Sequence, residues 1–289
     1  MRNEKDIRVV VLGAKGMLGS DLVDKLTQCG FKVVALDLPE FNITDNCQLT
    51  AALADADLVV NCAAYTNVDK AESEEELAYK VNAEAVENLG VFAAANGIRV
   101  IHISTDFVFD GMLDRPYTED DPTSPVNVYG QSKLEGEKRL INTGARSCII
   151  RVQWTYGHHG TNFIKKLLEF AKTRDSLKVV EDQTGSPTAT IEVASAICRI
   201  AGMEDDFPQG IYHFAAAGFA TRYQTAQFII TNSGLDTEVT PCSSSEFPSP
   251  AKRPNNSRFD CSKIERVLGC QIKPWQGPLE MFLKELPCR

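Results

Sequence analysis

The chain is 289 residues long, 43% hydrophobic, and carries a formal net charge of −9. Those figures exclude a disordered or collagen-like chain, and the acidic balance argues against a dominant phosphate-binding surface for nucleic acid. An apolar run of four residues ahead of the first glycine loop is too short for a signal-peptide core or a membrane span, so a cytoplasmic protein without a membrane partner is expected.

Short apolar runs then alternate with helical patterns: "IRVVVLG" (7–13), "FKVVALD" (31–37), "ADLVVNC" (56–62), "IRVIHIS" (98–104) and "SCIIRV" (147–152) read as fully buried parallel strands. Segments with apolar residues at three- and four-residue intervals lie between them, among them a long pattern ending at Asn96, with Gly30 and Gly97 placed as helix stops. The series predicts an α/β fold, a Rossmann-type doubly wound parallel sheet. After about residue 153 the alternation loosens into a helical stretch (161–173), a strand-like "LKVV" (177–180), helices near 190–201 and 222–233, and the loop "PCSSSEFPSPAKRP". The expected division is a dinucleotide-binding domain over 1–153, with later segments returning to it, and a smaller, mainly substrate-binding lobe over 154–289.

The first strand leads into Gly13-Ala-Lys-Gly16-Met-Leu-Gly19 and a helix, a context in which glycines let the backbone approach a pyrophosphate at the helix N-terminus. Asp37 ends the second strand, where a carboxylate can accept both hydrogen bonds of an adenosine ribose diol and repel a 2′-phosphate, favouring NADH over NADPH. Lys15, inside the loop, partly offsets that preference. The fourth strand ends in Ser104 and Thr105, hydroxyls at the strand terminus where such sheets bind ligands; turn capping is the competing reading.

Tyr129 and Lys133, four residues apart, share a helix face after the turn-rich "EDDPTSPVN". That spacing alone is weak, but with the glycine loop and Thr105 it suits ketone reduction, in which a proton must reach the developing alkoxide. A neighbouring ammonium lowers the pKa of a tyrosine and can also bind a ribose. The later glutamates of that helix read as solvated surface. Trp154 is read equally as a core residue, and His158–His159 as exposed or substrate-loop histidines. Nine cysteines, scattered and without C-x-x-C spacing, indicate neither a disulfide framework nor a zinc site.

Together the glycine loop, Thr105 and Tyr129/Lys133 resemble the extended short-chain dehydrogenase/reductase superfamily. "AAYTNVDKAE" (63–72), "STDFVFDG" (104–111), "PVNVYGQSKLEGE" (125–137), "QWTYG" (153–157), "DQTGSPT" (182–188), "GIYHFAAAG" (210–218) and "RPNNSRF" (253–259) resemble, within it, the dTDP-4-dehydrorhamnose reductase family. The resemblance implies reduction of the 4-keto group of dTDP-4-dehydro-β-L-rhamnose by NADH or NADPH. Thr105 would hold the keto oxygen, Tyr129 donate the proton, and Lys133 orient the ribose and lower the tyrosine pKa. Carried over by motif position, Gly13, Gly16, Met17, Leu18, Gly19, Asp37, Asn42, Ile43, Ala63, Ala64 and Thr66 would line the cofactor; Asp106, Trp154, Arg253 and Asn256 would contact the nucleotide sugar. Some family members form a magnesium-bridged dimer, but Ile191 stands where an acidic ligand would, so a homodimer is possible and no metal is expected. Position 42 is Asn where the family frequently has Asp. Two alternatives remain open: another nucleotide-sugar ketoreductase or epimerase on the same scaffold, and a nucleotide-binding regulatory subunit resembling that of methionine adenosyltransferase.

Overall fold

A computed structural model describes residues 7–286; Cys288 and the charged segment ahead of Ile7 lie outside them. Strands β1 (Arg8–Leu12), β2 (Lys32–Leu36), β3 (Leu58–Asn61), β4 (Arg99–Thr105) and β5 (Ser147–Val152) occupy the first half, with helices α1 (Met17–Gln28), α2 (Asn46–Leu53), α3 (Val68–Ala71), α4 (Glu75–Tyr79), α5 (Ala85–Asn96) and α6 (Val128–Asn142) between them. Later come β6 (Thr155–Tyr156), β7 (Ser176–Val180), β8 (Thr184–Gly185), β9 (Thr188–Ala189), β10 (Gly210–Phe214), β11 (Ala220–Thr221) and β12 (Glu238–Cys242). Helices α7 (Phe163–Ala171), α8 (Thr190–Ala201), α9 (Arg222–Ser233), α10 (Ser262–Leu268) and α11 (Gln276–Glu285) accompany them.

The central sheet has the order β10-β5-β4-β3-β1-β2, and all its strand pairs are parallel. Alternation along the strands sends side chains to two cores. Val9, Val11, Leu58, Val60 and Ile150 pack with α1 and α8, while Val10, Leu12, Val59 and Ile149 pack with α2, α5 and Leu140 of α6. Helices therefore cover both faces, the doubly wound arrangement of the Rossmann class.

Two features differ from the sequence reading, and a third gives the segments expected to return to the sheet their place. The strand expected to be fully buried at 31–37 is the sheet edge: β2 pairs only with β1, and its residues are exposed or half-buried. An apolar run reports that a strand forms, not how many neighbours it has. The sheet has a sixth strand, β10, which comes from beyond residue 153 and pairs with β5, and α8 packs in the same core as α1. Finally, the long helical pattern ending at Asn96 is broken by a π-helical turn over Lys80–Glu84. That turn carries Asn82, whose amide bonds the Tyr65 backbone at both ends (2.8 and 3.1 Å) and donates to Ser132 Oγ at 3.0 Å, tying α6 to the loop after β3.

A separate apolar core joins α7, β7, α9 and α11 through Ile164, Leu167, Leu177, Ile229, Trp275 and Leu279. Among the described residues no helix is long and apolar enough to cross a membrane.

Candidate active site

Gly13 turns the chain out of β1 at φ 76°, and a Cβ there would lie 2.6 Å from the Ala63 nitrogen; a Cβ on Gly19 would lie 2.0 Å from the Gly13 carbonyl oxygen. The loop thus packs backbone on backbone against the end of β3. Helix α1 starts at Gly16 with no side-chain cap and no acid in its first turn, leaving N–H groups and the positive end of the helix dipole for an anion. Asp37 follows β2 and accepts from the backbone N–H groups of Lys15 and Leu38, each at 2.7 Å, which holds its carboxylate beside the loop. The Lys15 ammonium is directed to Glu40 and the Leu38 carbonyl oxygen, on the outer side of that loop.

These groups open onto one cleft of about 840 Å³. Of the residues singled out from the sequence, Gly13, Gly16, Met17, Leu18, Gly19, Asp37, Asn42, Ile43, Ala63, Ala64, Thr66, Thr105, Asp106, Tyr129, Lys133 and Trp154 all line it. Residues from five strand ends and from α6 are drawn together there, at the C-terminal edge of the sheet, as the crossover topology requires. A glycine cradle, an uncapped helix start and a carboxylate held beside the loop fit a dinucleotide. Asn42 holds Thr44 through its Oδ1 at 3.0 Å, so it orders its own turn.

At the end of β4 the Thr105 hydroxyl donates to Asp106 Oδ1 at 3.1 Å, and Ser257 donates to the other carboxylate oxygen at 2.5 Å. Burial raises the Asp106 carboxyl to about 6, against the pull of those hydrogen bonds and of Arg222. Tyr129 packs edge-on against Phe107 at 5.6 Å between centroids. Burial pushes its phenol up to about 12; a hydrogen bond with Thr105 pulls the other way, and Asp106 adds to the rise. Lys133, 1% exposed, donates to the Ile103 carbonyl oxygen at 2.7 Å and faces His102 Nε2 at 3.3 Å. Burial thus outweighs the lowering influences on the phenol, and the Lys133 amine is engaged with β4.

Four placements depart from the sequence reading. Ser104 lines the cleft but its hydroxyl donates to Glu137, and Glu137, read as solvated surface, is 1% exposed and pairs bidentately with Arg151 at 2.6 and 2.9 Å. The i,i+4 pattern of a charged helix does not reveal that a partner strand supplies a buried guanidinium. Arg253 lies outside this cleft but lines a neighbouring cavity, in an ion pair with Asp69 at 2.8 Å. Asn256 is outside it as well, donating to the Leu113 and Arg115 carbonyl oxygens at 2.6 and 2.8 Å, which makes it a loop anchor.

Sequence reading missed Arg222, whose guanidinium lies over the Trp154 ring at 3.5 Å. It is also common to the first cleft and a second cavity of about 1020 Å³, which Arg253, Lys166, Lys252, Phe163, Phe170 and Phe247 help to line. The only local signal was an arginine opening a helix, too common to single out.

The parallel sheet with helices on both faces and the glycine loop at its C-terminal edge define a Rossmann-type α/β protein. A profile of the RmlD substrate-binding domain family matches residues 7–288. The chain is 37% identical to a dTDP-4-dehydrorhamnose reductase of Sinorhizobium fredii, over 93% of this chain and 94% of the other, and 38% identical to that of Aggregatibacter actinomycetemcomitans, over 94% and 97%. Solved dTDP-4-dehydrorhamnose reductases from Clostridium acetobutylicum (35% identity, TM-score 0.92, 97% and 99% covered) and Bacillus anthracis in complex with NADP (33%, 0.91, 96% and 99%) share the fold. The chain belongs to the dTDP-4-dehydrorhamnose reductase family.

Proposed function

We propose that the protein reduces the 4-keto group of dTDP-4-dehydro-β-L-rhamnose to give dTDP-β-L-rhamnose, with Tyr129 as proton donor, Thr105 holding the keto oxygen and Lys133 serving both ribose and tyrosinate. The observation that carries this reading is the meeting of a hydroxyl, a phenol and an amine, from β4 and α6, in the same cleft as the glycine loop and Asp37. A nicotinamide dinucleotide bound along that loop supplies the hydride. Gly13, Gly16 and Gly19 admit its pyrophosphate to the start of α1, and Asp37 receives the adenosine ribose hydroxyls, which favours NADH.

A phenol raised to about 12 stays protonated at neutral pH, so Tyr129 enters the reaction carrying its proton. An alkoxide is a far stronger base than a phenolate, and transfer from Tyr129 Oη to the former keto oxygen is downhill. A positive charge on Lys133 then stabilises the tyrosinate until solvent restores the proton. The sugar nucleotide's diphosphate and base belong, on this reading, in the second cavity, where Arg222, Arg253 and Lys166 supply charge and Phe163, Phe170 and Phe247 supply apolar faces.

Enzymatically generated dTDP-4-dehydrorhamnose, with NADH and NADPH oxidation followed separately, tests the proposal. Substrate-dependent oxidation with at least one cofactor is expected. No turnover with either overturns it.

A further inference from the structure

Behind Lys133 lies a buried chain of polar groups that the proposed reaction does not use directly. Asn61 and His102 are both 0% exposed. Backbone N–H of Ala63 donates to Asn61 Oδ1 at 3.1 Å, Asn61 Nδ2 lies 3.1 Å from His102 Nδ1, and His102 Nε2 lies 3.3 Å from Lys133 Nζ. The direction of this chain is set at its start. A backbone N–H can only donate, so the atom facing Ala63 is the amide oxygen and the atom facing the imidazole is the NH₂. His102 Nδ1 therefore accepts and carries no proton. The remaining ring proton sits on Nε2 and is directed at Lys133 Nζ, which meets it without a clash of donors only through a nitrogen lone pair. An ammonium, with protons on all sides, has none.

We propose that the Asn61–His102 pair holds Lys133 as a neutral amine, and that the amine takes up one proton from solvent when a dinucleotide fills the cleft, turning from His102 Nε2 toward the ribose. This deepens the reductase reading and rests on it for the ribose. The covalent Nε2–H bond stays intact; a new N–H bond forms on Nζ, and only the hydrogen bond between the two nitrogens is lost. Such a device keeps an uncompensated cation out of a buried site until ligand oxygens arrive to receive its hydrogen bonds.

The surroundings agree. Burial draws the Lys133 amine down to about 8, against the opposing pulls of Glu137 on its own helix and Cys62 after β3, so the neutral amine prevails in mildly alkaline solution. Glu137 is already paired with Arg151, and burial holds the Cys62 thiol protonated, up to about 12. On the other flank Tyr129, one turn earlier on α6, is likewise neutral. His102 is held well below its ordinary value by burial first and Lys133 second, so the ring is not an imidazolium at physiological pH. His102 is thus a positioning residue that acts through Lys133.

Long-range ¹⁵N–¹H correlation spectra of the full chain with labelled histidine test the first half, without substrate or turnover. The chain has 4 histidines. His213, 0% exposed, faces the Tyr117 carbonyl oxygen with Nδ1 at 3.1 Å and must carry its proton there, the opposite tautomer to His102. Expected from about pH 8.5 to 10, where the amine is neutral, are two non-titrating rings, one protonated at Nε2 and lost in His102→Gln, the other protonated at Nδ1 and lost in His213→Gln. If either variant fails to fold, the wild-type spectrum still decides, because the absence of a non-titrating Nε2–H ring overturns the proposal.

Calorimetry of NADH and NADPH binding in two buffers of different ionisation heat, at about pH 8.5, tests the second half. Uptake approaching about one proton per dinucleotide is expected, and its loss in Lys133→Met. Binding without proton uptake overturns the charging step. No dinucleotide binding at all counts against the reductase reading, while the tautomer spectrum continues to judge the relay by itself.

Discussion

The two ends of the ligand-binding surface are built on different principles. At the glycine-loop end the contact groups are backbone: Gly13 and Gly19 are pressed against Ala63 and against each other, and even Asp37 is held by two backbone N–H groups. Around the second cavity they are long side chains, Arg253 paired with Asp69 and Arg222 lying on Trp154, carried by loops and by the start of α9. Backbone cradles are formed before the ligand arrives, whereas paired cations must exchange partners to receive one. The difference suits a common cofactor at one end and a particular substrate at the other.

The largest effect is expected where the two ends meet. Tyr129→Phe should lower kcat by roughly 10²- to 10⁴-fold while NADH still binds with near-wild-type Kd; wild-type turnover would remove the phenol from the reaction. Glu137→Gln, beneath both ends, leaves Arg151 buried without its countercharge and should cost about 3–5 kcal/mol in chemical denaturation. A variant with unchanged stability would show that the pair does not anchor α6 to β5.

A pH series sharpens the contrast from the sugar side. The Asp106 carboxyl titrates near 6 in the folded chain against an ordinary value of 3.8, so the native state binds the extra proton between those values. Stability contributed by this group is full below about pH 4 and is lost as pH rises through 6, on the order of 3 kcal/mol in all. Wild type and Asp106→Asn should therefore diverge over that window in thermal or urea unfolding, and parallel curves would mean the carboxyl is not held protonated.

Smaller effects separate the ends themselves. Arg222→Met is expected to raise KM for the nucleotide sugar about tenfold or more and leave the NADH Kd alone; a change in NADH binding instead would put this arginine on the cofactor. Asp37→Ala should do the reverse, narrowing any preference for NADH over NADPH by a few-fold, about 1 kcal/mol, with the sugar KM unchanged. An unaltered cofactor ratio would show that the carboxylate serves only Lys15 and Leu38.

The contrast also explains what could be read in advance. The glycine loop, Asp37 and the Tyr129/Lys133 pair stood out because each is a short-range pattern: a turn that only glycine fits, a strand end, two residues one helical turn apart. Arg222 and His102 did not, since an arginine at a helix start and a histidine in an apolar strand are unremarkable until the fold sets Trp154 beside one and Asn61 and Lys133 on either side of the other. Asn256 belonged to a motif, and only the fold shows that its amide is engaged by the Leu113 and Arg115 carbonyl oxygens.

By itself the chain determined its alternation of strands and helices, the parallel sheet, and the glycine loop and Tyr129/Lys133 spacing proposed for cofactor and proton transfer, because periodicity, turn chemistry and i,i+4 spacing act over a few residues. Only the tertiary structure decided that β2 is an edge, that β10 returns to the sheet, that Glu137 is buried and that Lys133 meets His102. Those facts depend on contacts between residues tens of positions apart, whose energies come from excluding water around particular partners, and no local pattern carries that information.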